Sequence, residues 1–416
     1  MNQNIRRKIK LLQVAAMLPL LVGAQDTIWV RKNAPTEKET YSVAFSADGA
    51  RVFSGSECSP AYLRVFATVA GSVSWEYELG GTLMCVSGVK MSTDGTHVAA
   101  MEELGNLLIF DYSGSTPVLE NTVSTGTSGA FALDFSPDGT KIVTGCTNNK
   151  MNIYRVSDGD LLHTITAHNT WVMSVDWSPN GNFVVSGGSD NLVRLWDTSG
   201  MLIRTMTGHT GAVQSVRFSA DGNYIISGSK DDRIKVWESA TGNLVRTISG
   251  HGGDVMQVDI SDNGERIVSG SADSTIRVWN FATGGQLMQF GIPSSGKVYT
   301  VDFAPDNHHV AVGTAKGDVQ LWDIELPTAV ADEMQPGSAL QVCPNPCTES
   351  IFIAGPEAVV AFTVTDMAGK DVRGNYVSGK YFSISLAGLP QGVYVLSVLT
   401  ANGNTYRRSI VKNGFN

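Results

Sequence analysis

A short phrase that recurs seven times constrains this chain more than any other feature of its sequence. Each copy has a short apolar run, then Ser or Ala, then a turn built on Asp or Asn and usually Gly. The copies are SVAFSADG (42–49), GVKMSTDG (88–95), ALDFSPDG (132–139), SVDWSPNG (174–181), SVRFSADG (215–222), QVDISDNG (257–264) and TVDFAPDN (300–307). Successive copies end 46, 44, 42, 41, 42 and 43 residues apart. This period and content predict a four-stranded sheet repeated around a ring.

One copy, between Gly208 and Ile248, shows the four strands most clearly. Its first segment alternates apolar and polar residues, as a half-buried strand does. Asp and Gly in the following turn tolerate the backbone angles of a tight reversal. The predicted strands are Ala212–Phe218, Tyr224–Ser227, Arg233–Trp237 and Leu244–Ile248.

Three middle copies also share a His, a Ser, an Asp and a Trp at fixed spacing. The His precedes the Trp by 28 residues, the Ser by ten and the Asp by six. The sets are His168, Ser186, Asp190 and Trp196; His209, Ser227, Asp231 and Trp237; and His251, Ser269, Asp273 and Trp279. These residues resemble the WD40 repeat, and the resemblance covers most of residues 26–326. It implies that each set forms a hydrogen-bonded structural tetrad within a blade, in which the buried polar groups satisfy one another.

The other copies depart from this pattern. The third has Asn148 and Tyr154 in place of Asp and Trp, and the seventh keeps Trp322 but has Val312 in place of Ser. The first two copies end on Phe and lack the His. Because the period and the strand pattern persist, we expect the departures to leave the fold intact.

The ring can be closed by the two ends of the repeat region. The seventh copy supplies only three strands, at Val298–Phe303, His309–Val312 and Val319–Ile324. A free strand of suitable length lies at Thr27–Arg31. We therefore expect residues 27–31 to complete the last blade, so that residues 25–326 form an all-β, seven-bladed propeller without a long open edge.

The N-terminal segment has the layout of an export signal. Arg6, Arg7, Lys8 and Lys10 precede an apolar stretch, Leu11–Val22, that is too short to span a bilayer. Small residues follow, which predicts a signal peptide over residues 1–24. Its removal would take the net charge from −9 to about −13. An acidic chain of this kind argues against a nucleic-acid partner and against unaided binding to anionic membranes.

Five cysteines occur in the chain, which is an odd number for an exported protein. They are Cys58, Cys85, Cys146, Cys343 and Cys347. At least one is expected to remain a thiol or to bond to another chain. The sequence leaves their pairing open, and it offers too few further ligands near Cys343 and Cys347 for a metal site.

The pattern changes after the repeats. Residues 327–341 contain Pro, Gly and small residues and are expected to form a linker. Short apolar segments separated by turns follow and predict a small, immunoglobulin-like β-sandwich over residues 342–416. The predicted strands are Ser350–Ile353, Val359–Thr365, Tyr381–Ser385, Val393–Leu399 and Thr405–Val411.

Four motifs in this last segment occur in a fixed order. Their main residues are Pro344, Asn345 and Pro346; Asp366, Gly369 and Lys370; Gly388, Leu389, Gly392 and Tyr394; and Lys412. They resemble the C-terminal sorting domain of the type IX secretion system of Bacteroidota. The resemblance implies passage through the periplasm and across the outer membrane, removal of the module by the secretion machinery, and surface attachment or release. An ordinary adhesive sandwich domain is the alternative.

A binding face can be located by aligning the seven copies. In the resembled family, partners often meet the residues just before and within the first strand of each blade. At these positions the chain has aromatic residues and Met, which are enriched where proteins bind partners. The predicted partner-binding residues are Tyr41, Phe131, Trp171, Met173, Asp254, Met256 and Tyr299. Packing of the same side chains between blades is the alternative.

A catalytic interpretation has less support from the sequence. The Ser, His and Asp of the tetrads match a hydrolase triad only in composition, and they repeat in three blades. No Gly-rich phosphate loop and no His-Glu-x-x-His motif occurs. The sequence therefore predicts a noncatalytic surface scaffold that binds a protein or peptide and needs no cofactor. A surface hydrolase or lyase acting on glycans or peptides remains the second hypothesis.

Overall fold

The fold is described from a computed structural model of the chain. It describes residues 27–412 except 33–38, 57–60, 80–84, 103, 115, 127–128, 325–340, 344–349, 367–369, 387–388, 391 and 404. The predicted signal peptide and nearly all of the predicted linker lie outside these residues. Within the described residues, no helix is long and apolar enough to cross a membrane.

The described part of the repeat region forms seven four-stranded antiparallel sheets, which we number by their first strands. Sheet 1 consists of Thr40–Phe45, Arg51–Ser56, Ala61–Ala67 and Val73–Leu79. Sheet 2 consists of Val86–Met91, His97–Glu102, Asn106–Asp111 and Val118–Ser124. Sheet 3 consists of Ala130–Phe135, Lys141–Cys146, Lys150–Arg155 and Leu161–Thr166. Sheet 4 consists of Val172–Trp177, Phe183–Gly188, Val193–Asp197 and Leu202–Met206. Sheet 5 consists of Val213–Phe218, Tyr224–Ser229, Arg233–Glu238 and Leu244–Ser249. Sheet 6 is Val255–Ile260, Arg266–Ser271, Thr275–Asn280 and Gln286–Gly291. Sheet 7 is Val298–Phe303, His309–Thr314, Asp318–Asp323 and Thr27–Lys32.

The recurring phrase forms the turn between the first and second strands of each sheet. In sheet 5 the Ser219 hydroxyl accepts a hydrogen bond from the Tyr224 amide at 2.9 Å, and the Asp221 carboxylate accepts one from the Asn223 amide at 3.0 Å. Gly222 has a φ of 70°, a conformation that glycine adopts without steric cost. In the seventh copy Asn307 takes this position with a φ of 63°, and Asn is one of the few other residues that tolerate it.

Neighbouring sheets pack through their first strands and are close enough to require glycine at the contact. A Cβ on Gly228 of sheet 5 would lie 2.7 Å from a methyl carbon of Val255 in sheet 6. Apolar side chains fill the space between these two sheets, including Ile226, Val258 and Trp279. The hydrophobic core of the repeat region therefore lies mainly between successive sheets.

The first strands form a closed circle, because that of sheet 7 packs against that of sheet 1. Thr300 Oγ1 accepts a hydrogen bond from the Val43 amide at 3.2 Å. A carboxylate oxygen of Asp302 accepts one from the Phe45 amide at 2.9 Å. The last sheet is thus bonded to the first by the same kind of contact that joins other neighbours.

The expected closing strand is Thr27–Lys32, and it pairs antiparallel with Asp318–Asp323 as the outer strand of sheet 7. Trp29 from this strand is buried, and its indole donates a hydrogen bond to the Thr68 carbonyl at 2.6 Å. Lys32 forms a salt bridge of 2.8 Å with Asp318. The N-terminal strand therefore contacts both sheet 7 and sheet 1.

The C-terminal segment forms one five-stranded sheet by its hydrogen bonds. Its strands are Gln341–Cys343, Ser350–Asp366, Asp371–Ser385, Gly392–Thr400 and Thr405–Lys412. Two strands predicted separately, at 350–353 and 359–365, belong to the single element Ser350–Asp366, whose register shifts between Ala354 and Val359. An apolar cluster that includes Val364, Leu396 and Ile410 covers this sheet. The immunoglobulin-like sandwich remains a prediction.

Candidate functional site

The three structural tetrads are hydrogen-bonded chains that cross their sheets from a loop to the core. In sheet 4 the Nδ1 of His168 lies 2.8 Å from Asp190, and its Nε2 lies 2.8 Å from the Ser186 hydroxyl. The Trp196 indole donates to the same hydroxyl at 2.9 Å. The corresponding distances around His209 and His251 are between 2.7 and 2.9 Å.

The pKa values in the tetrads follow from burial and pairing. Burial lowers the pKa of His168, His209 and His251 more than the neighbouring carboxylates raise it. Burial alone would raise the pKa of Asp190, but hydrogen bonds from Arg194 and His168 outweigh it and hold that pKa below its usual range. Each tetrad therefore joins a neutral imidazole to an ionised carboxylate at neutral pH.

The same geometry makes the tetrads unsuitable as hydrolase triads. The Ser186 side chain is fully buried, and its oxygen already holds the indole of Trp196 and faces the imidazole of His168. A nucleophilic hydroxyl needs an open approach for its substrate and a nearby group that stabilises an oxyanion. The tetrads therefore serve the packing of the sheets.

Sheets that depart from the tetrad contain other polar contacts at the same place. In sheet 7 the Trp322 indole donates to the Gln320 side chain at 2.9 Å, whose amide donates to Ser295 at 3.1 Å. In sheet 3 the Tyr154 hydroxyl accepts from Asn152 at 3.1 Å, and burial raises the pKa of Tyr154 to about 12. These contacts explain how both sheets satisfy their buried aromatic groups without the tetrad.

A cavity of about 310 Å³ opens at the centre of the circle of first strands. Seven residues surround its mouth, one from each first strand, and we call them the mouth residues. They are Tyr41, Ser87, Phe131, Met173, Gln214, Met256 and Tyr299, and all seven line the cavity. Five of them are predicted partner-binding residues.

Every mouth residue is the extra residue of a β-bulge. The register between the first and second strands shifts at each of these positions, for example between Val172 and Ser174 around Met173. A bulge leaves one residue out of the hydrogen-bonded ladder and redirects its side chain. The sheets can therefore present these side chains at the cavity without disturbing the strand pairing.

Two aromatic pairs lie at different parts of the mouth. The rings of Tyr41 and Tyr299 are 5.4 Å apart, and both hydroxyls donate to the carboxylate of Glu39. The rings of Phe131 and Trp171 are 5.8 Å apart, and Trp171 is 51 % exposed. The first pair comes from sheets 1 and 7 and the second from the start of sheets 3 and 4, so the pairs lie on nearly opposite sides.

Two of the predicted partner-binding residues do not line the cavity. Trp171 and Asp254 each stand one residue before a first strand, outside the cavity lining. Trp171 still contacts the mouth through Phe131. The structure thus brings Tyr41, Phe131, Met173, Met256 and Tyr299 together at one cavity, whereas Trp171 contacts its mouth from outside and Asp254 is not part of the lining.

Below the mouth, a tier of buried charges crosses the centre of the circle, and the motif analysis did not single it out. Each member stands three residues after a mouth residue, and we call this tier the floor. The floor residues are Ala44, Lys90, Asp134, Asp176, Arg217, Asp259 and Asp302. Arg217 bridges Asp176 at 3.3 Å and Asp259 at 3.2 Å, and Lys90 lies 3.3 Å from Asp302.

The floor carboxylates also connect the sheets. Each accepts a backbone hydrogen bond from the next sheet, at 2.8 Å for Asp134 and 2.7 Å for Asp176. Asp259 accepts one from Phe303 at 2.8 Å. The floor residues therefore place charges below the cavity and also join neighbouring sheets by hydrogen bonds.

Burial dominates the protonation of the floor. It raises the pKa of Asp134 and Asp259, and together with the neighbouring Asp134 it raises the pKa of Asp176 to about 7. Burial would lower the pKa of Arg217, but Asp176 and Asp259 raise it overall, so Arg217 stays charged. Sequence reasoning could have found this tier, because the charged residue occupies the same place in six of the seven copies of the phrase.

The cysteines and the acidic side chains give no metal centre in the described residues. No group of three His, Cys, Asp or Glu side chains there could hold a metal ion. Cys85, at the edge of the cavity, takes part in a disulfide, and Cys146 is a buried thiol.

The described sorting residues have structural contacts of their own. Asp366 accepts a hydrogen bond from the Lys370 amide at 2.9 Å, which closes the turn between two long strands. Tyr394 is buried, and its hydroxyl donates to the Pro390 carbonyl at 2.7 Å. Leu389 donates its amide to the Leu386 carbonyl, while Gly392 begins one strand and Lys412 ends another. The remaining predicted residues lie outside the described residues: Pro344, Asn345, Pro346, Gly369 and Gly388.

Two family models match the chain. The WD domain, G-beta repeat (WD40) matches residues 119–155, 159–197, 200–238, 242–280 and 285–323. The secretion system C-terminal sorting domain matches residues 341–412. No curated protein matches the chain.

The five WD40 matches end at the third strands of sheets 3 to 7, and each match includes the first strand of the sheet in which it ends. Sheet 1 and the first three strands of sheet 2 lie outside these matches. The sorting-domain match indicates export by type IX secretion to the cell surface or the extracellular space. The chain thus contains five WD40 repeats, in a propeller of repeated four-stranded sheets, and a secretion system C-terminal sorting domain.

Proposed function

We propose that the protein is an exported, noncatalytic, seven-bladed propeller that binds a protein or peptide at the bacterial surface. One observation carries the proposal: seven bulge residues, one per sheet, present aromatic, Met and polar side chains at a single cavity. Aromatic residues and Met provide large contact areas and are enriched at protein interfaces. A bulge lets such residues face a partner while the ladder behind them stays intact.

Export would proceed through the N-terminal signal and then through the type IX machinery, which would recognise the sorting domain and remove it. The source would be a member of the Bacteroidota. We expect deletion of residues 340–416 to leave a folded propeller in the periplasm. Fractionation of cells that express the full and shortened chains tests this, and secretion of the shortened chain would refute it.

The binding role is tested with mature protein carrying single substitutions in the two aromatic pairs. We expect Trp171→Ala and Tyr299→Ala to abolish capture of the native partner from surface extracts, because each removes one member of an aromatic pair. Leu161→Ala serves as the control, since Leu161 is also an exposed apolar residue but lies on an outer strand.

Thermal unfolding of the same variants distinguishes binding from stability. Trp171 is half exposed and forms no core, so its loss is expected to change the melting temperature little. Capture that survives both Trp171→Ala and Tyr299→Ala, accompanied by a large drop in melting temperature, would show that these residues only pack between blades.

A further inference from the structure

We propose that the central cavity binds a carboxylate, supplied by an Asp or Glu side chain of the partner peptide. This inference rests on the proposed binding function and names the chemistry of the partner. It follows from the charges, the hydrogen-bond donors and the size of the cavity.

The charge of the cavity lining favours an anion. Among the described residues that line the cavity, Lys90 and Arg217 are the charged ones, and both are cationic. Their carboxylate partners in the floor do not line the cavity, and each directs an oxygen at a backbone amide of the next sheet. Because burial raises the pKa of the floor residues Asp134, Asp176 and Asp259, the floor carries less negative charge than its composition implies. A carboxylate above the two cations would be attracted in a medium that screens charge less than water does.

Three neutral groups of the lining can donate hydrogen bonds to a bound acceptor. Ser42 and Ser174 each accept a backbone hydrogen bond, from Val89 at 2.8 Å and from Val216 at 3.0 Å, so their hydroxyl protons are available to donate. The side-chain amide nitrogen of Gln214 is buried and has no partner among the described residues. A small rotation of this side chain would turn the amide towards a bound acceptor. A carboxylate, which only accepts hydrogen bonds, matches such a lining.

The size of the cavity restricts what enters it. Its volume of about 310 Å³ lies at the lower end of the range for ligand pockets. This volume is enough for one acidic side chain and its hydration, but not for a folded segment of the partner. The aromatic pairs at the mouth would contact the residues that flank the acidic one.

The experiment uses mature secreted protein and three blocked pentapeptides, Gly-Gly-X-Gly-Gly, in which X is Glu, Gln or Lys. Binding is followed by calorimetry and by the change in tryptophan fluorescence, to which the exposed Trp171 beside the mouth contributes. We expect the Glu peptide to bind at least about tenfold more tightly than the Gln peptide, because a charge-assisted hydrogen bond is about twice as strong as a neutral one. Added salt should weaken the Glu peptide most, since screening acts on its charge.

Two substitutions test the donors. Gln214→Met keeps the length of the side chain and removes the unpartnered amide, so it should weaken Glu peptide binding without loss of stability. Lys90→Met removes one of the two cations of the lining and should reduce the preference for Glu over Gln. Leu161→Ala, far from the cavity on an outer strand, should change neither. Equal affinity for the Glu and Gln peptides, or tighter binding of the Lys peptide, overturns the inference.

A further arm separates a peptide carboxylate from an acidic sugar. Glucuronate and glucose are titrated under the same conditions, and glucuronate binding tighter than that of the Glu peptide would refute the peptide assignment. The outcome is also distinct from a failure of the proposed function. If the native partner is captured through Trp171 while no Glu peptide binds, the scaffold role stands and the carboxylate inference fails.

Discussion

The buried carboxylate of Asp176 should make the stability of the propeller depend on pH in an unusual direction. Its side chain is only 12 % exposed, and burial together with Asp134 raises its pKa from 3.8 to about 7. Between these values the folded protein binds a proton that the unfolded chain does not bind. This group therefore favours folding at low pH, and its contribution is lost as the pH rises through about 7.

The size of the effect follows from the pKa. Between pH 5 and the folded-state pKa of about 7, the contribution of Asp176 to the free energy of unfolding falls by about 1.4 kcal/mol for each pH unit. The contribution of Asp176 should therefore fall by about 2 to 3 kcal/mol between pH 5 and pH 8. Asp176→Asn removes the titration while its side-chain oxygen can still accept the Phe218 amide. The stability of the wild type relative to this variant should fall by that amount.

Guanidinium unfolding of both proteins at pH 5 and pH 8, followed by Trp fluorescence, measures the difference. Comparing wild type with variant cancels the opposite contribution of the tetrad histidines, whose lowered pKa values favour folding at higher pH. Asp138→Asn is the control, because the Ser136 hydroxyl lowers the pKa of this exposed turn residue and it is ionised at both pH values. The argument would be refuted if the wild type and Asp176→Asn differed in free energy of unfolding by the same amount at pH 5 and at pH 8.

Three further substitutions test the packing of the sheets. Ser227→Ala leaves the buried Trp237 indole and the ring nitrogen of His209 without their shared partner and should cost about 2 to 5 kcal/mol in denaturant unfolding; a change under about 0.5 kcal/mol would contradict the tetrad's role. Gly228→Ala places a methyl group 2.7 Å from Val255 and should destabilise by about 1 to 3 kcal/mol, whereas a neutral result would mean that the sheets can separate there. Trp29→Ala removes a buried indole from the closing strand and should lower stability by about 3 to 5 kcal/mol, and an unchanged melting temperature would show that this strand does not hold the circle.

The repeat could be recognised from the sequence because its residue types are set by contacts within a single sheet. Ser219 and Asp221 cap their turn through contacts within five residues, and Gly222 provides the positive φ that the turn needs. The spacing of the tetrads is equally local to one sheet. Such short-range rules recur unchanged in each copy, so the period, the strands and the tetrad residues appear together in the sequence.

The boundary of the cavity was harder to predict. The alignment gives two candidate positions before and within each first strand, and it does not show that the bulge turns the second one inwards. Trp171 and Asp254, at the first position, therefore stand outside the lining. The sequence predicts two strands at 350–353 and 359–365, whereas the structure has the single element Ser350–Asp366, whose register shifts between Ala354 and Val359.

The floor depends on relations between sheets, which no single copy of the repeat contains. An Asp in one copy bonds a backbone amide about 42 residues later, and Arg217 requires acidic neighbours in both adjoining sheets. The sequence shows six charged residues at equivalent positions, but only the closed circle brings them to the same place. The contacts between these charged residues therefore depend on the closed ring.

The composition of the floor is best explained by two demands that compete. Carboxylates bond the amides of the next sheet, which favours Asp at every position, but seven buried negative charges on one axis would repel one another strongly. Lys90 and Arg217 interrupt the series and pair with their neighbours, and Ala44 leaves one position uncharged. Four carboxylates and two cations still leave an excess of acid, which the raised pKa of Asp176 relieves by proton uptake. The two cations needed for this balance are also the charged groups of the cavity lining, so the stability of the ring and the chemistry of the proposed binding site depend on the same two side chains.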